Sequence, residues 1–185
     1  MTITDITFTK LSVSPTGNNL WSVDLDLNVW VNMPVGKGYK FTIKEGFITN
    51  FRSGSDLINP IFPRTGNEAR SLCYVVHDAC YTWLGEKADY HCMEKKDADA
   101  LLKAMLTFCD DCDRYKIAEL KRLAFVYEST KDFKAEIKLL EKQILGSFKI
   151  WCIHKAVSLF GGPAYREKNP PPYDKNNDKV LMEVL

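Results

Sequence analysis

Cys73-Tyr-Val-Val-His-Asp-Ala-Cys-Tyr81 is the centre of the stretch, Glu68 to Phe108, around which the rest of the chain is organised. Apolar residues recur here at helical spacing, which predicts an amphipathic helix over Glu68 to Leu84. His77 and Tyr81 are four residues apart, so both side chains lie on the same side of this helix. We expect that side to carry whatever chemistry the protein performs.

Further helices are predicted after this one. Asp97–Phe108 has one broad apolar face, and the short link before it makes the two helices antiparallel neighbours. Asp110-Asp-Cys-Asp113 is then expected to cap a third helix, Arg114 to about Glu128. Lys131–Leu145 is strongly charged with a narrow apolar seam. It is either a solvated surface helix or a projecting hairpin, and a partner-binding arm is the alternative. Phe148–Phe160 is predicted as another amphipathic helix.

The N-terminal quarter, residues 1–49, predicts a small antiparallel β-meander. Residues 6–13 alternate well enough for a first strand, and Pro15–Asn19 has the composition of a turn. Every odd position from Trp21 to Val31 is apolar, which indicates one long, half-buried strand. Tyr39–Thr49 is expected to return as its hairpin partner.

The chain of 185 residues is long enough for one domain with its own core. We predict a single α+β domain over residues 1–168, in which a loop at 50–67 connects the β-meander to a mainly helical part at 68–162. A charged helical insertion is expected at about 113–147. Residues 169–185 are predicted to be a polar, Pro-rich tail.

Composition excludes several classes of protein. The formal charge of +1, from 25 basic and 24 acidic residues, gives no global field for nucleic acid, so no nucleic-acid partner is expected. No apolar run approaches the roughly 20 residues of a transmembrane helix. The N-terminus lacks the basic and apolar segments of a secretory signal. We therefore expect synthesis in a reducing cytosol, and six cysteines that are free and mostly buried.

The candidate site combines a histidine with carboxylates. A neutral histidine can act as a general base near pH 7, and a nearby carboxylate orients it. Adjacent helix residues do not face each other, so Asp99 of the facing helix, and not Asp78, is the expected partner of His77. Asp78 would then be free to bind a hard cation together with loop carbonyls. The alternative is a hydrogen-bond network that only stabilises helix packing.

A zinc site is a weaker hypothesis. Cys109-x-x-Cys112 has zinc-knuckle spacing, and His91-Cys92 could complete four ligands. A second CxxC is missing, however, and Cys109 continues an apolar helix face. We favour structural thiols.

Four segments occur in an order that resembles a known family. These are Phe41-Thr-Ile-Lys-Glu-Gly-Phe-Ile-Thr-Asn50, Val76-His-Asp-Ala-Cys-Tyr81, Ala98-Asp-Ala-Leu-Leu-Lys-Ala-Met105 and Ala156-Val-Ser-Leu-Phe-Gly161. Together they resemble the phage and prophage family catalogued as domain of unknown function 1353. The chain has Asn50 where that family usually has Asp. The resemblance implies a protein made in the cytoplasm of a bacterial host, with incorporation in the virion as one expected fate.

A second, more distant resemblance concerns the helix pair alone. His77-Asp78-x-x-Tyr81, followed by Asp99 on an antiparallel helix, is similar to the core of secreted phospholipases A2, especially the short bacterial ones. That resemblance implies His77 as the base for water, Asp78 as a calcium ligand, Asp99 as the orienting carboxylate and Tyr81 as a supporting residue. Calcium is the cofactor it implies.

Two classes of function follow. The first is an interaction protein, a virion or tail component that binds other phage proteins or a host protein. The alternative is a calcium-assisted lipid or ester hydrolase with a phospholipid as an expected substrate. The intact set of site residues favours hydrolysis, whereas Asn50, the missing glycine-rich calcium loop and the charged insertion favour binding.

Overall fold

A computed structural model of the chain describes residues 1–17, 20–49, 68–82, 92–127, 131–161 and 179–185. Strands lead and helices follow, so the predicted α+β class is confirmed. The elements in chain order are β1 (Asp5–Phe8), β2 (Val13–Gly17), β3 (Leu20–Val23), β4 (Leu27–Met33), β5 (Lys37–Ile43), β6 (Ile48–Thr49), α1 (Glu68–Cys80), α2 (Lys95–Tyr127), α3 (Lys131–Gln143), α4 (Ser147–Phe160) and β7 (Val180–Val184).

The strands form two antiparallel sheets where the sequence predicted one meander. One sheet has the order β1-β4-β5-β7 and the other the order β2-β3-β6. The buried faces of the strands and of α1, α2 and α4 share one hydrophobic core. The last strand, β7, pairs with β5 from Val180 opposite Ile43 to Val184 opposite Tyr39. Residues 180–184, which the prediction included in a polar tail, therefore belong to the main sheet.

The prediction of one long strand over residues 21–31 is wrong. The alternation continues through the segment, but the chain passes from β3 in one sheet to β4 in the other between Asp24 and Asp26. The Asp26 carboxylate accepts a hydrogen bond from the backbone N–H of Glu45, and Leu25 is 59% exposed. The apolar spacing is therefore continuous from Trp21 to Val31, but the strand is not, because Asp26 accepts a backbone hydrogen bond where the chain leaves one sheet for the other.

The predicted strand over residues 6–13 is also wrong, because β1 ends at Phe8 and β2 begins at Val13. Pro15, which we expected in a turn, lies inside β2 opposite Trp21. β2 is an edge strand of its sheet, and an edge tolerates a residue without a backbone donor.

The helices are close to prediction with one exception. α1, α3 and α4 lie where the periodicity placed them, but α2 runs without interruption through Asp110–Asp113, so the predicted cap there is wrong. The Asp110 carboxylate instead accepts hydrogen bonds from the backbone N–H groups of Leu145 and Gly146, at 3.0 and 2.7 Å. Asp110 therefore stabilises the backbone just before α4, and it does not cap a helix that begins at Arg114.

The charged insertion is a helical hairpin made by the second half of α2 and by α3. Its apolar seam faces α2 and forms a small cluster of its own. The cluster consists of Ile117, Leu120, Leu140, Phe133, Ile137 and Ile144. Among the helices of the described ranges, none is both long and apolar enough to cross a membrane.

Candidate active site

Asp99, near the start of α2, contacts His77 of α1 and Tyr81, the residue that directly follows α1. Its Oδ1 atom lies 3.0 Å from Nε2 of His77 and accepts a hydrogen bond from the Tyr81 hydroxyl at 2.6 Å. The rings of His77 and Tyr81 lie one helical turn apart, with centroids separated by 4.3 Å. Both sequence predictions for this pair, a shared side of α1 and a hydrogen bond from His77 to Asp99, are confirmed.

The two helices are antiparallel, as predicted. Moving back along α1 from His77 to Cys73 and Arg70, the facing partners move forward along α2 from Asp99 to Cys109 and Asp110. This arrangement places the histidine of one helix opposite the carboxylate of the other.

The contact with Asp99 determines which nitrogen of His77 carries the proton. An ionised carboxylate only accepts hydrogen bonds, so Nε2 must be the protonated nitrogen. In the neutral ring the lone pair is then on Nδ1. The side chain of His77 is buried, with 0% of its surface exposed, so this network defines its orientation.

Asp99 is ionised in spite of its burial. Burial alone would raise its pKa, but hydrogen bonds from His77, Lys95 and Tyr81 lower the pKa of Asp99 to about 2. Burial, followed by the hydrogen bond to Asp99, raises the pKa of Tyr81 far above its ordinary value. The hydroxyl of Tyr81 is therefore a donor to Asp99 and stays protonated.

Lys95 completes the network, and sequence reasoning missed it. Its ammonium lies 2.8 Å from Oδ2 of Asp99 and donates to the carbonyl oxygens of Val157 and Ser158, each at 3.0 Å. These carbonyls are at the C-terminal end of α4, where a cation is favoured. The spacing of four residues to Asp99 was the available signal. The ion pair thus connects α4 to the His77–Asp99 dyad.

The Asp78 side chain lies next to the end of β6. The Thr49 hydroxyl donates to its Oδ2 atom at 2.5 Å, and Asp78 is half-buried. Calcium takes six to eight oxygen ligands. Within the ranges that the structure describes, no three His, Cys, Asp or Glu side chains form a group that could hold a metal ion. These residues alone do not fit a calcium site, and Asn50 with the loop at 50–67 lies outside the described ranges.

A second buried polar cluster lies further along the helix pair. Arg70 places Nη2 2.7 Å from Oδ1 of Asp110 and Nη1 2.9 Å from Oδ2 of Asp113. The Arg70 guanidinium is thus paired with carboxylates of the same helix pair.

All six cysteines are free and four of them are buried, as predicted. Cys73 and Cys109 pack together across the helix pair, with their sulfur atoms 3.8 Å apart. Cys112 is exposed. The zinc hypothesis has no support in this arrangement, and His91 is not among the described residues.

Comparisons with known proteins gave no family. No family model matches the chain, and no curated protein and no solved structure matches it. Both resemblances, to the phage family and to phospholipases A2, therefore stay predictions.

Proposed function

We propose that the protein is an ester hydrolase in which His77 is the general base that activates water. The observation that supports this most is the contact between Asp99 and Nε2 of His77, because it leaves the basic lone pair on Nδ1. A histidine oriented in this way by a buried carboxylate can accept a proton from a nucleophile in the transition state.

The proton balance of such a reaction is simple. Nδ1 of His77 takes a proton from water as the water oxygen attacks the ester carbonyl. The resulting imidazolium is stabilised by the charge of Asp99, whose low pKa keeps it ionised. His77 then returns the proton to the departing alcohol, so the products are a carboxylic acid and an alcohol. Lys95 and Tyr81 act as positioning residues, because their hydrogen bonds orient Asp99.

The substrate class and the biological setting of this proposal come from the two resemblances. They favour a phospholipid, or another carboxylic ester, hydrolysed by a protein that a phage or prophage encodes. No step is assigned to calcium, since the described residues do not make a site for it.

A non-catalytic role as a virion, tail or host-binding component is the second candidate. Two observations favour it: the His77 side chain is fully buried, and the same network connects α1, α2 and α4. In that case the polar residues would stabilise the packing and the function would lie on the surface.

Hydrolysis of a small panel of esters separates the two candidates. The full chain is assayed with 4-nitrophenyl butyrate and with phosphatidylglycerol vesicles, in calcium and in EDTA. We expect activity in the wild type that falls by at least about a hundredfold in His77→Asn, the usual scale for a general base. His154→Asn, which changes a histidine of α4, is the matched control and should keep its activity. If the folded wild type hydrolyses none of these esters, or if both variants are equally active, His77 is not the base.

A further inference from the structure

The side of α4 that faces away from the core carries large apolar side chains that are exposed. Phe148, Trp151 and Leu159 are 77%, 49% and 71% exposed. With Lys155 they follow each other at intervals of three or four residues, so they form one stripe along the helix. The rings of Phe148 and Trp151 stack with centroids 6.2 Å apart. We refer to these four residues as the α4 stripe.

The opposite side of the same helix is already used by the core. Ile150, Ile153 and Val157 are buried there, at 3%, 0% and 0% exposure. A helix that packs in a protein core normally has a polar outer face, and one that is apolar on both sides normally has an apolar neighbour on each. Large exposed apolar side chains in a contiguous group indicate an interaction site.

The charges on α4 indicate what covers the stripe. Lys149 and Lys155 are exposed, and no Asp or Glu occurs from Ser147 to Phe160. The Lys155 ammonium lies 6.0 Å from the centre of the Trp151 ring. Tryptophan and phenylalanine flanked by lysines, with no acidic residue, are typical of helices that lie in the interface of an anionic bilayer. A symmetric pairing of two copies through this stripe would bring lysines close to lysines, which disfavours a dimer.

We infer that α4 binds the surface of an anionic membrane, with the α4 stripe inserted among the lipid headgroups and the helix axis parallel to the bilayer. Phe148, Trp151 and Leu159 enter the apolar boundary, and Lys149 and Lys155 contact anionic headgroups. This inference does not depend on hydrolysis. It does bring a lipid surface close to the dyad, because Lys95 joins Asp99 to the backbone of Val157 and Ser158 next to Leu159.

Vesicle flotation with the full chain tests the inference. Wild-type protein should float with vesicles that contain phosphatidylglycerol, and it should bind pure phosphatidylcholine vesicles less. The double substitution Phe148→Ser and Trp151→Ser should weaken partition by about tenfold or more. Lys149→Gln and Lys155→Gln should each weaken partition into anionic vesicles by roughly fivefold, and less so in high salt.

The matched control is Phe125→Ser, since Phe125 is 89% exposed on α2 and lies outside the stripe. This variant should bind vesicles as the wild type does. Flotation measures binding and not ester cleavage, so a failure of the hydrolase proposal leaves this result unaffected. Circular dichroism confirms that each variant is folded. Absence of binding to anionic vesicles, or equal binding by the Phe148→Ser/Trp151→Ser variant, would overturn the inference. Binding to soluble polyglutamate but not to vesicles would do the same and would assign the stripe to an acidic protein partner.

Discussion

Lys95 and Asp99 form an ion pair of 2.8 Å at the point where α1, α2 and α4 meet. Lys95 also donates to two carbonyl oxygens at the end of α4, and Asp99 also binds His77 and Tyr81. The orientation of the candidate base and the attachment of α4 are therefore parts of one network. A substitution that removes a contact at one end of the network should therefore weaken the contacts at the other end.

Replacing Lys95 should destabilise the protein. Lys95→Met keeps the aliphatic part of the side chain but removes the donor to Asp99 and to α4, and we expect a loss of about 1–3 kcal/mol in the free energy of unfolding. Lys96→Met is the control, because Lys96 is exposed, and it should change the unfolding free energy by less than about 0.5 kcal/mol. Urea denaturation measures both. Equal values for the two variants would show that the Lys95 contacts add nothing to stability.

His77→Ala should also destabilise, because Asp99 would lose one donor and a buried cavity would form. We expect a loss of roughly 2–4 kcal/mol, and a clear fall in melting temperature, relative to Lys138→Ala on the exposed side of α3. Calorimetric melting of the two variants provides the comparison. An unchanged melting temperature in His77→Ala would contradict the buried position of this side chain.

Acid should weaken the wild type through Asp99. Its pKa is lowered from 3.8 to about 2 in the folded protein. Ionised Asp99 therefore stabilises the fold at pH values above about 4, and this contribution is lost as the pH falls toward 2. Between pH 5 and pH 2 the wild type should lose about 2 kcal/mol more unfolding free energy than Asp99→Asn does. Parallel pH dependences in urea denaturation of the two proteins would mean that Asp99 has an ordinary pKa.

Substitution of Asp110 should lower the free energy of unfolding far more than substitution of its neighbour Asp111. It accepts from buried Arg70 and from two backbone N–H groups before α4, whereas Asp111 is exposed. Asp110→Ala leaves the Arg70 charge without this partner, and we expect a loss of about 3–5 kcal/mol in unfolding free energy. Asp111→Ala should cost less than about 0.5 kcal/mol. Similar losses would show that the carboxylate of Asp110 is replaceable by water.

The helix pair could be predicted because its information is local. Apolar periodicity predicted which residues lie on the facing sides of α1 and α2, and the short link predicted that the helices are antiparallel. His77 and Asp99 were therefore expected to be in contact. Lys95 had a signal in its spacing to Asp99, but its bonds to the end of α4 join residues more than 60 positions apart. The contact of Thr49 with Asp78 likewise depends on where the end of β6 lies relative to α1, which local sequence does not determine.

The wrong predictions came from local patterns whose residues make contacts with distant parts of the chain. Asp24 and Asp26 occupy the polar positions of an alternating pattern, but the chain passes there from one sheet to the other. Asp110 resembles a helix cap in the sequence, but its carboxylate accepts a hydrogen bond from the backbone N–H of Gly146, just before α4. β7 reaches β5 from the far end of the chain, and no short-range feature of Val180–Val184 indicates that partner.

The most direct test concerns the tautomer of His77, since the proposed base is the lone pair on Nδ1. Nitrogen-15 NMR of imidazole-labelled protein, with His77→Asn for assignment, reports the protonation of each ring nitrogen. For the neutral ring we predict a protonated Nε2 and an unprotonated Nδ1, and loss of that preference in Asp99→Asn. A proton on Nδ1 with the lone pair on Nε2 would contradict both the dyad and the hydrolysis proposed for it.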